Sequence, residues 1–163
     1  MRGLSLLIYF PSGGTKSSAD GVVRILIADD EKAFSNVLAE LVRSCGHEVI
    51  SVVHSGLDAI KSYRRYRPDI VLMDFAMAKL NGLTACRHIL SNDPDSCVLF
   101  LSGSGLGDHS GLAPESSGAW AVLQKPINRA YLEQVLKDVA LRRQSEKAAS
   151  KLPNVVATTR QIE

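Results

Sequence analysis

The sequence predicts an α/β fold: one sheet of five parallel strands in the doubly wound order 2-1-3-4-5, with helices on both faces. Three observations lead there. Short runs of branched aliphatic residues alternate with segments whose apolar residues recur at helical spacing. The runs are apolar nearly throughout, as strands covered on both faces require. Five such units joined by right-handed crossovers favour the order 2-1-3-4-5.

The elements follow in order. "PSGGTKSSADG" has linker composition, so residues 1–21 read as a flexible extension and the folded part begins near Val22. "VRILIA" is the first strand. Phe34, Val37, Leu38, Leu41 and Val42 then make one helical stripe that Gly46 stops. "EVISVV" is the second strand. Ser55 and Asp58 form an approximate capping box for a helix with Leu57, Ile60 and Tyr63 inward, and Pro68 closes it. "DIVLMDF" is the third strand, and Gly82 opens a helix carrying Leu83, Cys86, Ile89 and Leu90 on one side. "CVLFLS" and "WAVLQ" are the fourth and fifth strands. Asn128 caps a last helix with Leu132, Val135, Leu136 and Val139 inward, and residues 144–163 read as a frayed end and tail. Between strands four and five, five residues of the segment 103–118 (Gly103, Gly105, Gly107, Gly111 and Pro114) make a poor helix, short or irregular.

Composition bounds the function. The 163 residues suit one domain plus tails, large enough for a core without disulfides. A formal net charge of +2 gives no electrostatic reason to expect nucleic acid. The basic runs Lys61–Arg67 and Arg142–Arg143 read as solvated helix surface. Cys45, Cys86 and Cys97 stand far apart, as reduced thiols of a cytoplasmic protein do. No apolar run spans a membrane. Leu4 to Phe10 imitates a signal peptide but is short and lacks a clear cleavage site, so a loose N-terminal extension or an upstream start is the better reading.

The chemistry collects at the strand tips, where open parallel sheets bind ligands. Asp29 and Asp30 end strand one, Asp74 strand three and Ser102 strand four, and Lys125 with Pro126 follows strand five. In the order 2-1-3-4-5, strands one and three are neighbours, so the three carboxylates meet. They repel unless a cation sits among them, and hard oxygen donors with room for water suit Mg²⁺. Singly, such an Asp is more often a turn former, such a Ser a cap and such a Lys a solvated surface group. It is their convergence on one sheet edge that argues for function.

"ILIADDE", "DIVLMDFAM", "LFLSG" and "LQKP", in this order and at these separations, resemble the receiver domain of bacterial two-component response regulators. The match covers residues 22–143. The resemblance implies the flavodoxin-like form of the doubly wound fold and a role for each tip residue. Asp74 is the implied phosphoacceptor, taking a phosphoryl group from a sensor histidine kinase or histidine phosphotransfer protein. Asp30 is an implied direct Mg²⁺ ligand, with Asp29 acting through metal-bound water and the Ala76 carbonyl completing the protein ligands. Lys125 and Ser102 would each engage a phosphoryl oxygen, and Pro126 would follow a cis peptide.

Three departures stand out. The aromatic residue expected three positions before the lysine is Val122, and Trp120 lies two residues earlier. Trp120 is either a surface anchor for a partner or packed against a neighbouring helix. The proline expected four residues after the phosphoacceptor is Ala78. Segment 103–118 occupies the place of the fourth helix, which in the family carries much of the signalling face. Ala76 and Ser104 are both small, which predicts easy access of water to the phosphate and no exceptional lifetime. The leading reading is thus a stand-alone signalling module, not an enzyme, docking to an unknown downstream protein or relaying phosphate. It would be a monomer or weak dimer that binds neither DNA nor membrane directly. The alternative is a receiver fold that signals without phosphate. An aspartyl-phosphate hydrolase of the haloacid dehalogenase type is disfavoured, because the general-acid Asp it needs two residues after the nucleophile is Ala76.

Overall fold

In a computed structural model, which describes residues 22–103 and 117–150, the alternating runs become alternating elements. Strands are β1 (Arg24–Ala28), β2 (Glu48–Val53), β3 (Ile70–Asp74), β4 (Val98–Ser102) and β5 (Ala121–Gln124). Helices are α1 (Lys32–Ser44), α2 (Gly56–Tyr66), α3 (Gly82–Asn92) and α4 (Arg129–Ser150). All strand pairs are parallel and the order is β2-β1-β3-β4-β5, as the sequence predicts. Most of segment 103–118, including Ser104, lies outside the described residues, as do 1–21 and 151–163.

The sheet divides two cores by the two-residue period of its strands. Ile25, Ile27, Ile70, Leu72, Leu99 and Leu101 face α1 and α4, where Leu38, Val42, Leu132, Leu136 and Val139 cover them. Leu26, Ala28, Val71, Met73, Val98 and Phe100 face α2 and α3, meeting Ala59, Ile60, Tyr63, Leu83, Cys86 and Ile89. Each fully buried aliphatic side chain stabilises the fold by about 1.5–3 kcal/mol. The central strands β3 and β4 are buried at every position. Cys45, Cys86 and Cys97 are free thiols, and burial pushes Cys86 up to about 11, which leaves it protonated and inert.

Local signals end the helices where the sequence places them. The Ser55 side chain accepts a hydrogen bond from the Asp58 amide, and Asn81 and Asn128 do the same for Thr84 and Tyr131. Gly46 takes the left-handed conformation that closes α1, at φ +82°.

Two stripe positions turn out differently. Val37 is 66% exposed and Leu57 53% exposed. On α1 the buried face is Ser35, Leu38, Ala39 and Val42, rotated off Val37. On α2 it is Gly56, Ala59, Ile60 and Tyr63. There the approach is set by backbone: a Cβ on Gly56 would overlap the Leu80 carbonyl oxygen. Small residues that let a helix come close displaced the larger ones from the packed stripe.

Candidate functional site

The charged groups of the site are brought to the carboxyl edge of the sheet by three elements. β1 delivers Asp29 and Asp30 just past its last residue, the first fully buried and the second exposed. β3, the neighbour of β1, delivers Asp74, 7% exposed. The loop after β5 delivers Lys125, whose peptide to Pro126 is cis. One ligand oxygen from each of Asp29, Asp30 and Asp74 can lie within 4.8 Å of the others. They open into a pocket of about 400 Å³ lined also by Phe75, Ala76, Ser102 and Gly103.

Lys125 is the hub. Its ammonium nitrogen donates to Asp29 Oδ2 at 2.8 Å and lies 3.1 Å from Asp74 Oδ1. It also sits 4.0 Å from the centre of the Phe34 ring, a cation–π contact at the start of α1. Burial alone would disfavour the ammonium. The hydrogen bond to Asp29 and the charge of Asp74 together outweigh it, so the pKa lies above its ordinary value.

Asp74 shows the opposite balance. Desolvation raises its pKa, and Lys125 and the Ala76 amide offset this only in part, with Asp29 adding repulsion. One lysine among three carboxylates leaves the cluster short of positive charge. That shortage, with oxygen donors converging on an open pocket, fits a hard divalent cation such as Mg²⁺.

Backbone amides hold each carboxylate. Glu31 donates to Asp29 Oδ1 at 2.8 Å, Ala76 to Asp74 Oδ2 at 3.1 Å, and Ala78 to Asp30 Oδ2 at 3.0 Å. Both oxygens of Asp29 are therefore engaged, one by Lys125. Asp30 keeps Oδ1 without a hydrogen bond among the described residues. On the far side, the His54 ring pairs with the Asp29 carbonyl at 2.8 Å. Gly82 lies directly on the β3 tip, where a Cβ would overlap the Asp74 carbonyl oxygen.

The structure thus brings Asp29, Asp30, Asp74, Ala76, Ser102 and Lys125 to one pocket. It places the other marked residues outside it. Val122 is half-buried against the α2/α3 core, and Trp120 is half-buried against the α1/α4 core. The Trp120 amide donates to the Val98 carbonyl at 2.9 Å. Packing is the reading of Trp120 that this position supports. Pro126 is exposed. Sequence reasoning missed Phe34, which looked like a core residue, and the Ala78 amide, which no side-chain pattern announces.

Known proteins resemble this chain in sequence and fold. The family model described as "Response regulator receiver domain" matches residues 25–137. Chemotaxis protein CheY of Thermotoga maritima is 29% identical over 119 residues, covering 72% of this chain and 97% of its own. CheY of Treponema pallidum is 33% identical over 121 residues, 72% of this chain and 80% of that protein. A protein-glutamate methylesterase/protein-glutamine glutaminase of Myxococcus xanthus is 33% identical, but the match spans 64% of this chain and only 30% of that protein. Among solved structures, a response regulator receiver domain protein from Clostridium thermocellum superposes with a TM-score of 0.69 at 27% identity. That match covers 77% of this chain and 99% of the other.

Proposed function

The chain belongs to the response regulator receiver domain family, and we propose that it works as a phosphorylation-dependent signalling module with Asp74 as phosphoacceptor. Residues 22–143 would form the receiver unit. The phosphoryl donor would be a sensor histidine kinase or a histidine phosphotransfer protein. The output would come from docking to a downstream protein or from passing the phosphate on. No described helix is long and apolar enough to cross a membrane. Phosphoryl transfer from such a donor would take place in the cytoplasm.

The single observation that carries this reading is the Asp74–Lys125–Asp29 contact beside Asp30, at the mouth of a pocket that also exposes Ala76. Asp30, the Asp74 carboxylate and the Ala76 carbonyl are the groups that would hold Mg²⁺, with Asp29 in support. When bound, the ion supplies positive charge that neutralises phosphoryl oxygens. This chain's residues do the rest. Asp74 attacks phosphorus, forming a P–O bond as the P–N bond of the phosphohistidine breaks and its electron pair returns to the imidazole. The Ala76 amide keeps the Asp74 carboxylate oriented. Lys125 already lies 3.1 Å from Asp74, so a small movement brings it to a phosphoryl oxygen. Ser102, buried at the β4 tip on the pocket wall, would take a second oxygen through its hydroxyl.

Incubation with acetyl phosphate and Mg²⁺ tests the proposal. Intact-mass measurement should show one added phosphoryl group, absent in Asp74→Asn and absent when EDTA replaces the ion. A parent chain that gains no mass under these conditions sinks the reading.

A further inference from the structure

Resting on that reading, we infer that the backbone N–H of Ala78 positions Asp30 for the cation. The bond spans 48 residues in sequence, from the loop after β3 to the tip of β1. Asp30 is the exposed member of the carboxylate cluster, and an exposed aspartate ordinarily samples several rotamers. Here one oxygen is tied at 3.0 Å by the Ala78 amide, which fixes the carboxylate while it keeps an oxygen within 4.8 Å of those of Asp29 and Asp74. A charge-assisted bond of this kind removes rotamer freedom before the cation arrives, so less ordering is left to oppose binding.

The loop that presents the amide is itself held in place. The Leu80 carbonyl rests against Gly56 at the start of α2, and the Gly82 amide donates to the Phe75 carbonyl at 3.2 Å. Lys79, the next residue, takes a left-handed conformation at φ +71°, and this turn accompanies the outward course of the loop. Ala78 is exposed and its methyl group plays no part in the bond. The sequence resemblance puts proline here, and proline has no N–H to give. The Asp30 tether is therefore possible because this one position is not proline, and it joins the loop after β3 to the tip of β1.

Two measurements on the full chain test the inference. Calorimetric titration with Mg²⁺ alone should give about fivefold weaker binding for Ala78→Pro, with Ala78→Ser, which keeps the N–H, close to the parent. Phosphorylation by acetyl phosphate should then need proportionately more Mg²⁺ for half-maximal rate and reach the parent rate at saturation, a split that general loosening of the fold does not produce. Thermal unfolding checks that the proline variant is folded. Independently of any variant, the Ala78 amide of the parent should exchange slowly with solvent both without Mg²⁺ and at saturating Mg²⁺. Binding by Ala78→Pro as tight as the parent, or tighter, overturns the inference. So does an Ala78 amide that becomes exchangeable when Mg²⁺ binds, because the bond then competes with the ion. If the parent takes up no Mg²⁺ at all, the proposed function fails first and this inference falls with it.

Discussion

At the scale of single residues, the two ends of one ion pair carry opposite consequences. Asp74 holds its proton more tightly in the folded chain than an ordinary carboxyl does, because burial outweighs Lys125. Ionising it therefore costs folding stability. The cost is absent below its ordinary value of 3.8 and complete above the raised folded value. Without divalent ion, Asp74→Asn should melt at a higher temperature than the parent at neutral pH, and the gap should close as pH falls toward the ordinary carboxyl range. Equal melting temperatures across that range would show that Lys125 fully compensates the charge. Lys125→Ala should act the other way. It leaves Asp29, fully buried, without its cation, a loss of about 3–5 kcal/mol by the usual cost of breaking a buried pair. Chemical denaturation at neutral pH measures both variants side by side.

At the scale of elements, the helix faces show where sequence periodicity is reliable. Leu38 and Val37 are adjacent on the predicted α1 stripe, yet one is 1% and the other 66% exposed. Leu38→Ala should cost about 2–5 kcal/mol, whereas Val37→Ser should stay within about 0.5 kcal/mol of the parent. Similar losses from both would mean that α1 packs in the rotation the periodicity suggested. Glycine at the start of α3 ties an element directly to the site. Gly82→Ala puts a methyl group where the Asp74 carbonyl oxygen stands, so the β3 tip or the helix must shift. The expected destabilisation is about 1–3 kcal/mol, and the phosphorylation rate should fall further than that loss of folded protein explains. Retention of the full rate would show that the tip of β3 yields without moving its carboxylate.

At the scale of the whole molecule, the site gathers contributions from four strand ends that are far apart in the chain. A cation held there couples β1 to β3 and relieves the excess of negative charge around Lys125. Mg²⁺ at about 100 times its dissociation constant should stabilise the chain by about 2.7 kcal/mol. The melting temperature should rise accordingly, and Asp30→Asn should abolish most of the rise. A rise of equal size in Asp30→Asn would place the ion elsewhere.

The sequence alone determined the strand order, because five aliphatic runs, helical crossovers of one hand and covered faces admit few arrangements. It also marked Asp29, Asp30, Asp74, Ser102 and Lys125, because polar side chains at the ends of buried strands have to converge on one edge. It placed Leu38, Val42, Ile60 and Tyr63 inward, as they are, but did not determine the rotation that leaves Val37 and Leu57 exposed. Apolar stripes are broad, and on α2 the final rotation depends on how closely Gly56 lets the Leu80 carbonyl approach. Nor could it disclose the Phe34 contact with Lys125 or the Ala78 amide bond to Asp30. An aromatic ring on an amphipathic helix reads as core, and a backbone N–H is common to every residue but proline. Only the folded chain decides which acceptor lies 3.0 Å away from it.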